Sequence, residues 1–264
     1  MLDFLSQLRS RSESLFYFGL ICLIAAIVFL ILTKTTSVQV NNVNAWWKPF
    51  KFALSTTLFV WAMAWYVSYL KDFNVSLYAW TTIILLAFEI GYIAIQAGRG
   101  QLSHFNISSS FYGFMFSMMA VAITIVTLYT AYICVLFFKQ DFPDLPSHFV
   151  WAIRFGILLF VVFAFEGFLM GSRMLHTIGG PDGGPGIPVL NWSSKFGDAR
   201  VAHFVGMHAL QVLPLLSFYV LKNTKITVIA IVLYIALAVF TLVQALNGRP
   251  VFREKNPVEK HNTH

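Results

Sequence analysis

The sequence predicts an all-α protein, a polytopic bundle of about seven transmembrane helices. Three observations support this: 58% of the 264 residues are hydrophobic, only 11% are charged, and the apolar residues fall into long runs. A typical soluble domain is about 25% charged, so a soluble protein of this composition would leave much apolar surface in water. The composition therefore argues against a soluble enzyme, a disordered chain and a nucleic-acid-binding domain.

Each run is long enough to cross a bilayer, which takes a helix of about 20 apolar residues. The predicted spans are Leu15–Thr33, Trp46–Leu70, Leu77–Ala97, Phe111–Phe138, Phe149–Met170, Val201–Leu221 and Ile226–Asn247. Helices are expected throughout, because backbone groups in lipid must satisfy their own hydrogen bonds. The first run has no small-residue cleavage site after it, which predicts a retained helix. We take residues 1–248 as one transmembrane domain and 249–264 as a polar C-terminal tail.

Seven spans place the chain ends on opposite sides of the membrane, here named the N-face and the C-face after the end that each carries. The C-face connections are the longer ones: Lys34–Ala45, Gly98–Ser110 and Gly171–Arg200. The C-face also carries more of the 18 Lys and Arg residues, among them Arg253, Lys255 and Lys260 of the tail. By the positive-inside rule, this distribution predicts a cytoplasmic C-face.

Polar residues enter four of the spans next to the C-face, while the N-face halves of these spans are almost wholly apolar. They recur at spacings of three, four or seven, which place them on one side of a helix. The second, third, fifth and sixth spans carry these stripes: Asn44, Lys48, Lys51 and Ser55; Glu89, Tyr92, Gln96 and Arg99; Glu166, Arg173 and His176; Arg200, His203 or Phe204, His208 and Gln211. Single polar residues often serve as contacts between membrane helices. Four stripes at one face predict a water-accessible pocket that opens on the C-face.

Three ionisable residues lie within the apolar part of their spans. From a rise of about 1.5 Å per residue, Glu89 lies roughly 12 Å, His208 roughly 10 Å and Glu166 roughly 6 Å inside the C-face end. Such a group costs about 2.5–3.5 kcal/mol to insert, so each should be paired, neutral or hydrated. Lys51 and His208 are the expected partners of Glu89, and Arg173 is the expected partner of Glu166.

The predicted pocket has the electrostatic character of an anion site. Three spans begin at the C-face, where their unpaired N–H groups carry a partial positive charge. The side chains predicted to bind substrate lie nearby: Lys48, Lys51, Gln96, Arg99, Arg173, Arg200 and Gln211. A phosphate, a carboxylate or haem propionates would fit this field. Asp198, just before the sixth span, is predicted to be its N-cap.

Four histidines are candidate metal ligands: His104, His176, His203 and His208. The spacing of His203 and His208 turns about 140° around a helix, so these two do not share a face. A shared metal would need further ligands from other helices, such as Glu89 or Glu166. On the same helix, Pro214 is expected to produce a kink.

The run Gly179–Pro188 is rich in glycine and proline. Its composition is similar to that of a phosphate-binding loop, but it lacks the GK[ST] ending and does not follow a predicted strand. The composition predicts a turn-rich lid instead.

Three blocks of sequence resemble a group of uncharacterised bacterial polytopic membrane proteins. They are Asn44-Ala-Trp-Trp-Lys-Pro-Phe-Lys-Phe52, Glu89-Ile-Gly-Tyr92 with Arg99-Gly-Gln-Leu-Ser-His-Phe-Asn106, and Gly197–Gln211. The resemblance extends over most of the chain. It implies a seven-span protein of the bacterial inner membrane and transfers no activity to this sequence.

Three functions are compatible with the predicted pocket. The first is a membrane-embedded enzyme, with or without a metal ion, in which Glu89, Glu166 and His208 carry protons during reaction of an anionic or lipid-like substrate. The second is a b-type haem protein with His208 as an axial ligand. The third is a transporter or receptor for a small anion. The expected partners are the lipid bilayer and this ligand, with no nucleic acid, and an oligomer of identical chains is compatible with the sequence.

Overall fold

A computed structural model describes residues 2–184 and 186–252 of the chain. Seven of its helices are long and apolar enough to cross a membrane, which confirms the predicted helical, seven-span class. By helix length and hydropathy, the chain is an integral membrane protein. Arg253, Lys255 and Lys260, together with most of the predicted tail, lie outside the described residues, so the division at residue 248 stays a prediction.

The helices follow the apolar runs of the sequence closely. Their bounds are α1 Leu2–Arg11, α2 Glu13–Thr35, α3 Trp47–Val67, α4 Val75–Gly98, α5 Ser110–Lys139, α6 Ser147–Arg173, α7 Ala199–Leu216 and α8 Thr224–Leu246. A π-helical turn, Ser217–Leu221, continues α7. The spans are therefore α2 to α8, and each coincides with one predicted segment.

Side-chain caps explain where several spans begin. Asn74, Ser109 and Asn223 each accept a hydrogen bond from the backbone N–H three residues later. Asp198 accepts one from the backbone N–H of Arg200, which confirms the predicted cap of α7. These bonds satisfy N–H groups that a first helical turn leaves without partners.

Close helix contacts hold the bundle together. The most extensive contacts join α6 to α7 and α2 to α3. Gly206 of α7 lies against the ring of Phe163 on α6, and a Cβ added at this glycine would overlap that ring. Outward-facing side chains such as Ile84 and Val232 are exposed, as expected of a surface that contacts lipid tails.

The α7 segment becomes irregular after Pro214. Its α-helical part ends at Leu216, and the π-helical turn follows. Proline has no N–H to donate and disturbs the preceding turn, so an irregularity is expected here. The buried Ser217 hydroxyl lies 3.0 Å from His148 Nδ1 and 3.1 Å from the Thr227 hydroxyl, which anchors the turn.

Hydropathy did not predict α1, because this helix is short and amphipathic. It folds back onto α2 and α3, where Leu8 is fully buried. Arg11 donates to the Ser68 hydroxyl at 2.6 Å and lies 4.3 Å from the centre of the Trp65 ring. These contacts fix α1 at the N-face end of the bundle.

Two short strand pairs order the C-face connections. β1 (Gln39–Val40) pairs antiparallel with β2 (Val43–Asn44), and β3 (Thr177–Ile178) pairs antiparallel with β4 (Gly197–Asp198). The second pair joins the two ends of the long connection between α6 and α7. Gly197 lies directly against the Ala245 carbonyl of α8, so this connection is seated on the end of the bundle.

We predict that Gly206→Ala destabilises the bundle, because the added methyl group overlaps the buried ring of Phe163. Overpacking of this kind costs about 1–3 kcal/mol. The measurement is thermal unfolding in detergent, with Gly91→Ala as control, since nothing lies within 4 Å of a Cβ added there. Only Gly206→Ala should lower the melting temperature. Equal melting temperatures for the two variants would contradict the packing of α6 on α7.

Candidate functional site at the C-face

Asp198 organises the start of α7 with a side chain that is almost completely buried. Its carboxylate accepts two hydrogen bonds from the Arg200 guanidinium, at 2.9 and 2.6 Å. It also accepts from the backbone N–H groups of Arg200 and Ser193. A buried carboxylate needs such donors to offset its lost hydration. Asp198 therefore holds both Arg200 and the preceding loop at the C-face.

Two cations bind the loop before α7 through its backbone. Arg200 Nη2 donates to the Asn191 carbonyl at 2.6 Å, and Lys51 Nζ donates to the Leu190 carbonyl at 3.0 Å. These bonds connect α3, the loop and α7. Lys51 thus has a backbone partner in place of Glu89, the partner that its depth predicted.

Lys48 of α3 and Glu89 of α4 are ionisable side chains of the site. Lys48 lies within Coulombic range of Glu89, Lys51, Arg200 and Asp182. Among the residues that the structure describes, no hydrogen bond or ion pair holds its ammonium group. Glu89 is 5% exposed, and its Oε1 atom has no hydrogen-bond partner there. Both groups are therefore available to bind a ligand or water. A buried polar group such as the Glu89 carboxyl normally has a hydrogen-bond partner of this kind.

The connection after α6 contributes a histidine–carboxylate pair. Asp182 Oδ2 lies 2.6 Å from His176 Nδ1, and the same carboxylate accepts from the backbone N–H of Thr177. Burial lowers the pKa of His176, with a further contribution from Arg200 and Lys48, and outweighs the opposing effect of Asp182. Burial raises the pKa of Asp182, but hydrogen bonds from His176 and Thr177 outweigh it and lower that pKa. Asp182 is therefore an ionised acceptor, and a neutral His176 donates to it through Nδ1–H.

His104, in the connection between α4 and α5, belongs to the same region. Its ring lies against Phe52 and Phe116, at centroid distances of 5.8 and 6.1 Å. Burial, followed by the charges of Lys48 and His176, lowers the pKa of His104 well below its usual value. This half-buried imidazole is therefore neutral at neutral pH.

We refer to these residues together as the C-face cluster: Lys48, Lys51, Glu89, His104, His176, Asp182, Asp198 and Arg200. They come from α3, α4, the α4–α5 connection, the α6–α7 connection and the start of α7. Apart from the two aspartates, all were predicted as site residues, and the structure brings them together.

A second ionisable pair lies between α6 and α7. Glu166 Oε2 is 3.3 Å from His203 Nδ1. A Cβ added at Gly167 would come within 3.1 Å of the same imidazole ring, so His203 lies close against α6. The predicted partner of Glu166 was Arg173, which is exposed instead.

His208, on the same helix as His203, has contacts of its own. Its Nδ1 atom lies 3.2 Å from Gln211 Oε1, and its ring lies 4.3 Å from that of Phe204. His208 was expected to pair with Glu89, whereas its hydrogen-bond partner is Gln211. The different surroundings of His203 and His208 agree with the predicted angle between them.

The remaining predicted binding residues have other surroundings. Arg99 is exposed at the end of α4. Gln96 is fully buried and donates to the Leu102 carbonyl at 3.1 Å, while its Oε1 atom has no partner among the described residues. Roles for Arg99, Arg173, Gln96 and Gln211 in substrate binding stay predictions.

The predicted metal ligands fall into two groups. His104 and His176 belong to the C-face cluster, whereas His203 and His208 lie on α7. Within residues 2–184 and 186–252, no group of three or more His, Cys, Asp or Glu side chains is arranged to hold a metal ion. The metal and haem interpretations therefore gain no support from these contacts and stay predictions.

Sequence reasoning missed Asp182 because aspartate is an ordinary turn residue in a run such as Gly179–Pro188. Its carboxylate reaches His176 because the chain turns tightly between them, with the Thr177 hydroxyl bonded to the Gly180 carbonyl at 2.6 Å. The available signal was an aspartate close after a predicted site histidine. That signal is too common to identify a pair.

The chain matches no protein-family model, no curated protein and no solved structure. Fold and site therefore define a class, a seven-span integral membrane protein with a cluster of charged residues at one face. The bacterial family resemblance, the inner-membrane location and the cytoplasmic C-face stay predictions.

We predict that the protein loses stability as the pH falls below about 6.5, the usual pKa of histidine. Folding lowers the pKa of His104 and His176. Above this range both histidines are neutral whether the chain is folded or unfolded. Below it, the unfolded chain binds protons that the folded chain does not, which favours unfolding.

The measurement is the melting temperature in detergent between about pH 8 and pH 5, the range in which histidine titrates. A double variant, His104→Gln with His176→Gln, should lose less stability on acidification than the wild type. Parallel losses in the two proteins would contradict the assignment of these histidines.

Proposed function

We propose that the protein is a membrane-embedded enzyme that acts on an anionic, lipid-like substrate at the C-face. The most direct support is the His176–Asp182 pair, 2.6 Å apart, beside the cations Lys48 and Arg200, which act electrostatically on His176. A neutral base next to cations suits proton abstraction during attack on a negatively charged substrate.

The cations would bind the anionic part of the substrate. Lys48 has no hydrogen bond or ion pair to another described residue, so its donors are available. Lys51 and Arg200 are held by loop carbonyls, which fixes their positive charges in place before a ligand arrives. The N-termini of α3 and α7 add partial positive charge from the same side.

His176 would act as the general base. Asp182 accepts its Nδ1–H and so favours the tautomer in which Nε2 carries a lone pair. Nε2 would take a proton from an attacking hydroxyl or water, while Lys48 and Arg200 stabilise the negative charge that develops on the substrate. Glu89, within Coulombic range of Lys48, would supply a second acid–base group.

Glu166 and His208 were also predicted to be catalytic. They lie in the α6–α7 region with partners of their own, His203 and Gln211. The proposed reaction therefore does not use them.

A receptor or transporter for a small anion is the second candidate. The free donors of Lys48 favour it, because they would bind an anion without any reaction. The enzyme is preferred because anion binding alone gives no role to a histidine oriented by a carboxylate. Asp182 does also close its own loop through Thr177, so the test must separate these two roles.

We predict that Lys48→Met weakens anion binding, because it removes a cation whose donors are free. A hydrogen bond to a charged group is worth about 1.5–3 kcal/mol, so the dissociation constant should rise about tenfold or more. The protein in neutral detergent is titrated with inorganic phosphate and, separately, with short-chain phosphatidylglycerol, and tryptophan fluorescence is recorded.

The matched control for this titration is Lys71→Met, which removes an exposed lysine at the N-face. It should leave both dissociation constants unchanged. Weakening by Lys71→Met equal to that by Lys48→Met would contradict an anion site at the C-face. Binding of phosphatidylglycerol without phosphate would identify the ligand as lipid-like.

We predict that Asp182→Asn lowers turnover about a hundredfold, a typical contribution of general-base catalysis. The asparagine no longer favours the reactive tautomer of His176. The wild type is incubated with vesicles of phosphatidylglycerol and phosphatidylethanolamine, and lipid products are followed by mass spectrometry. Asp141→Asn, at an exposed N-face position, is the control and should retain activity.

The dependence of turnover on pH distinguishes a catalytic role of Asp182 from a role in closing its own loop. If Asp182 orients a base, Asp182→Asn should change the acid limb of the profile and leave phosphatidylglycerol binding intact. If the wild type forms no product but binds phosphatidylglycerol, the enzyme proposal is wrong and the receptor or transporter is favoured.

A further inference from the structure

An acid and a base face each other between α6 and α7, apart from the C-face cluster. Glu166 Oε2 and His203 Nδ1 are 3.3 Å apart, and the Glu166 side chain is 7% exposed. Both carboxyl oxygens of Glu166 and the Nδ1 atom of His203 are buried and lack a hydrogen-bond partner among the described residues. These atoms are therefore close together without the saturating contacts that buried charges normally have.

The proton content of such a pair follows from the cost of burying net charge. With no proton on either side chain the pair carries one negative charge, and with protons on both it carries one positive charge. Either state is costly inside a membrane protein. The states that hold a single proton are neutral overall and avoid this cost.

The surroundings of Asp198 differ from those of Glu166 in the number of hydrogen-bond donors. Asp198 is buried to a similar degree, but its carboxylate accepts from the Arg200 guanidinium and from the Ser193 backbone N–H. Glu166 accepts no hydrogen bond from another described residue. Because an ionised carboxylate in such surroundings lacks the donors it needs, the proton belongs on Glu166.

We propose that Glu166 and His203 form a proton-binding site within the membrane-spanning region. The carboxylic acid of Glu166 holds one proton, and His203 Nδ1 is the acceptor to which that proton moves. In the transfer the O–H bond of Glu166 breaks and an N–H bond forms on His203. This converts a neutral pair into a carboxylate–imidazolium pair without change in net charge. The site does not rest on the enzymatic function proposed above.

Among the described residues, the surrounding ionisable groups form no hydrogen bond or ion pair with Glu166 or His203. On α7, His203 acts electrostatically on His208, and Arg200, one turn before His203, is bound to Asp198. From α8, the Tyr234 hydroxyl donates to the Val205 carbonyl at 2.7 Å.

Polar side chains of α3 and α5 also contact α6 and α7, and they bond to backbone carbonyls. From α3, the Tyr66 hydroxyl donates to the Leu210 carbonyl. From α5, Cys134 contacts the Arg154 carbonyl, three turns before Glu166 on α6. Within the described part of the chain, His203 is thus the one ion-pair partner of Glu166.

Infrared difference spectroscopy of the full chain in phosphatidylcholine vesicles tests the proposal. At neutral pH, Glu166→Gln should remove a carbonyl stretching band of a protonated carboxylic acid. The control Glu13→Gln alters an exposed glutamate that is paired with Arg9, and it should remove carboxylate bands instead. If Glu166→Gln also removes only carboxylate bands, Glu166 is ionised and the proposal is wrong.

A second variant keeps Glu166 and removes its acceptor. His203→Phe should preserve the carboxylic acid band and shift its frequency, because the acid loses the imidazole that faces it. This measurement also applies if Glu166→Gln does not fold. A spectrum in which no carboxylic acid band moves would overturn the pairing of Glu166 with His203.

Discussion

The arrangement of the C-face depends on the burial of one carboxylate, that of Asp198, because a charge in that position must be saturated with donors. Asp198 caps α7, binds the guanidinium of Arg200 and accepts from the Ser193 backbone. Arg200, once fixed, holds the Asn191 carbonyl. The start of a membrane helix and the longest connection in the chain are thereby joined into one unit. The positive charges of the site are then positioned by the same bonds that close the fold.

The ionisable groups within the bundle are held in three different ways, and each has a different functional meaning. Asp198 is saturated, which makes it structural. Lys48 lies among other charges but has no bonded partner in the described chain, which suits it to bind a ligand. Glu166 faces one imidazole and accepts no hydrogen bond from the described residues, which suits it to hold a proton. Because charge is scarce in this chain, at 11% of residues, each of these positions stands out.

Hydropathy was enough to predict the spans, since a run of about 20 apolar residues has few alternatives to a membrane helix. Helical spacing was enough to place Lys48, Lys51, Glu89 and Arg200 at one face. The pairs of contacting side chains could not be predicted in this way, because depth in the membrane alone does not determine which side chain contacts which. Lys51 bonds to a loop carbonyl and Glu166 lies against His203, contacts that depend on helix rotation and on loop conformation. Asp182 was missed for the same reason, because its role depends on a turn.

The central claim is that the C-face cluster forms a water-accessible site of positive potential. Its most direct test is the modification rate of a single cysteine, introduced by His104→Cys, with small anionic and cationic thiol reagents. The native cysteines, Cys22 and Cys134, are buried and should contribute little. We expect the anionic reagent to react faster than the cationic one at position 104. Lys48→Met should reduce this preference. A cysteine introduced at the N-face by Ser76→Cys should show no preference. Equal rates at position 104, or a preference that survives Lys48→Met, would contradict the account.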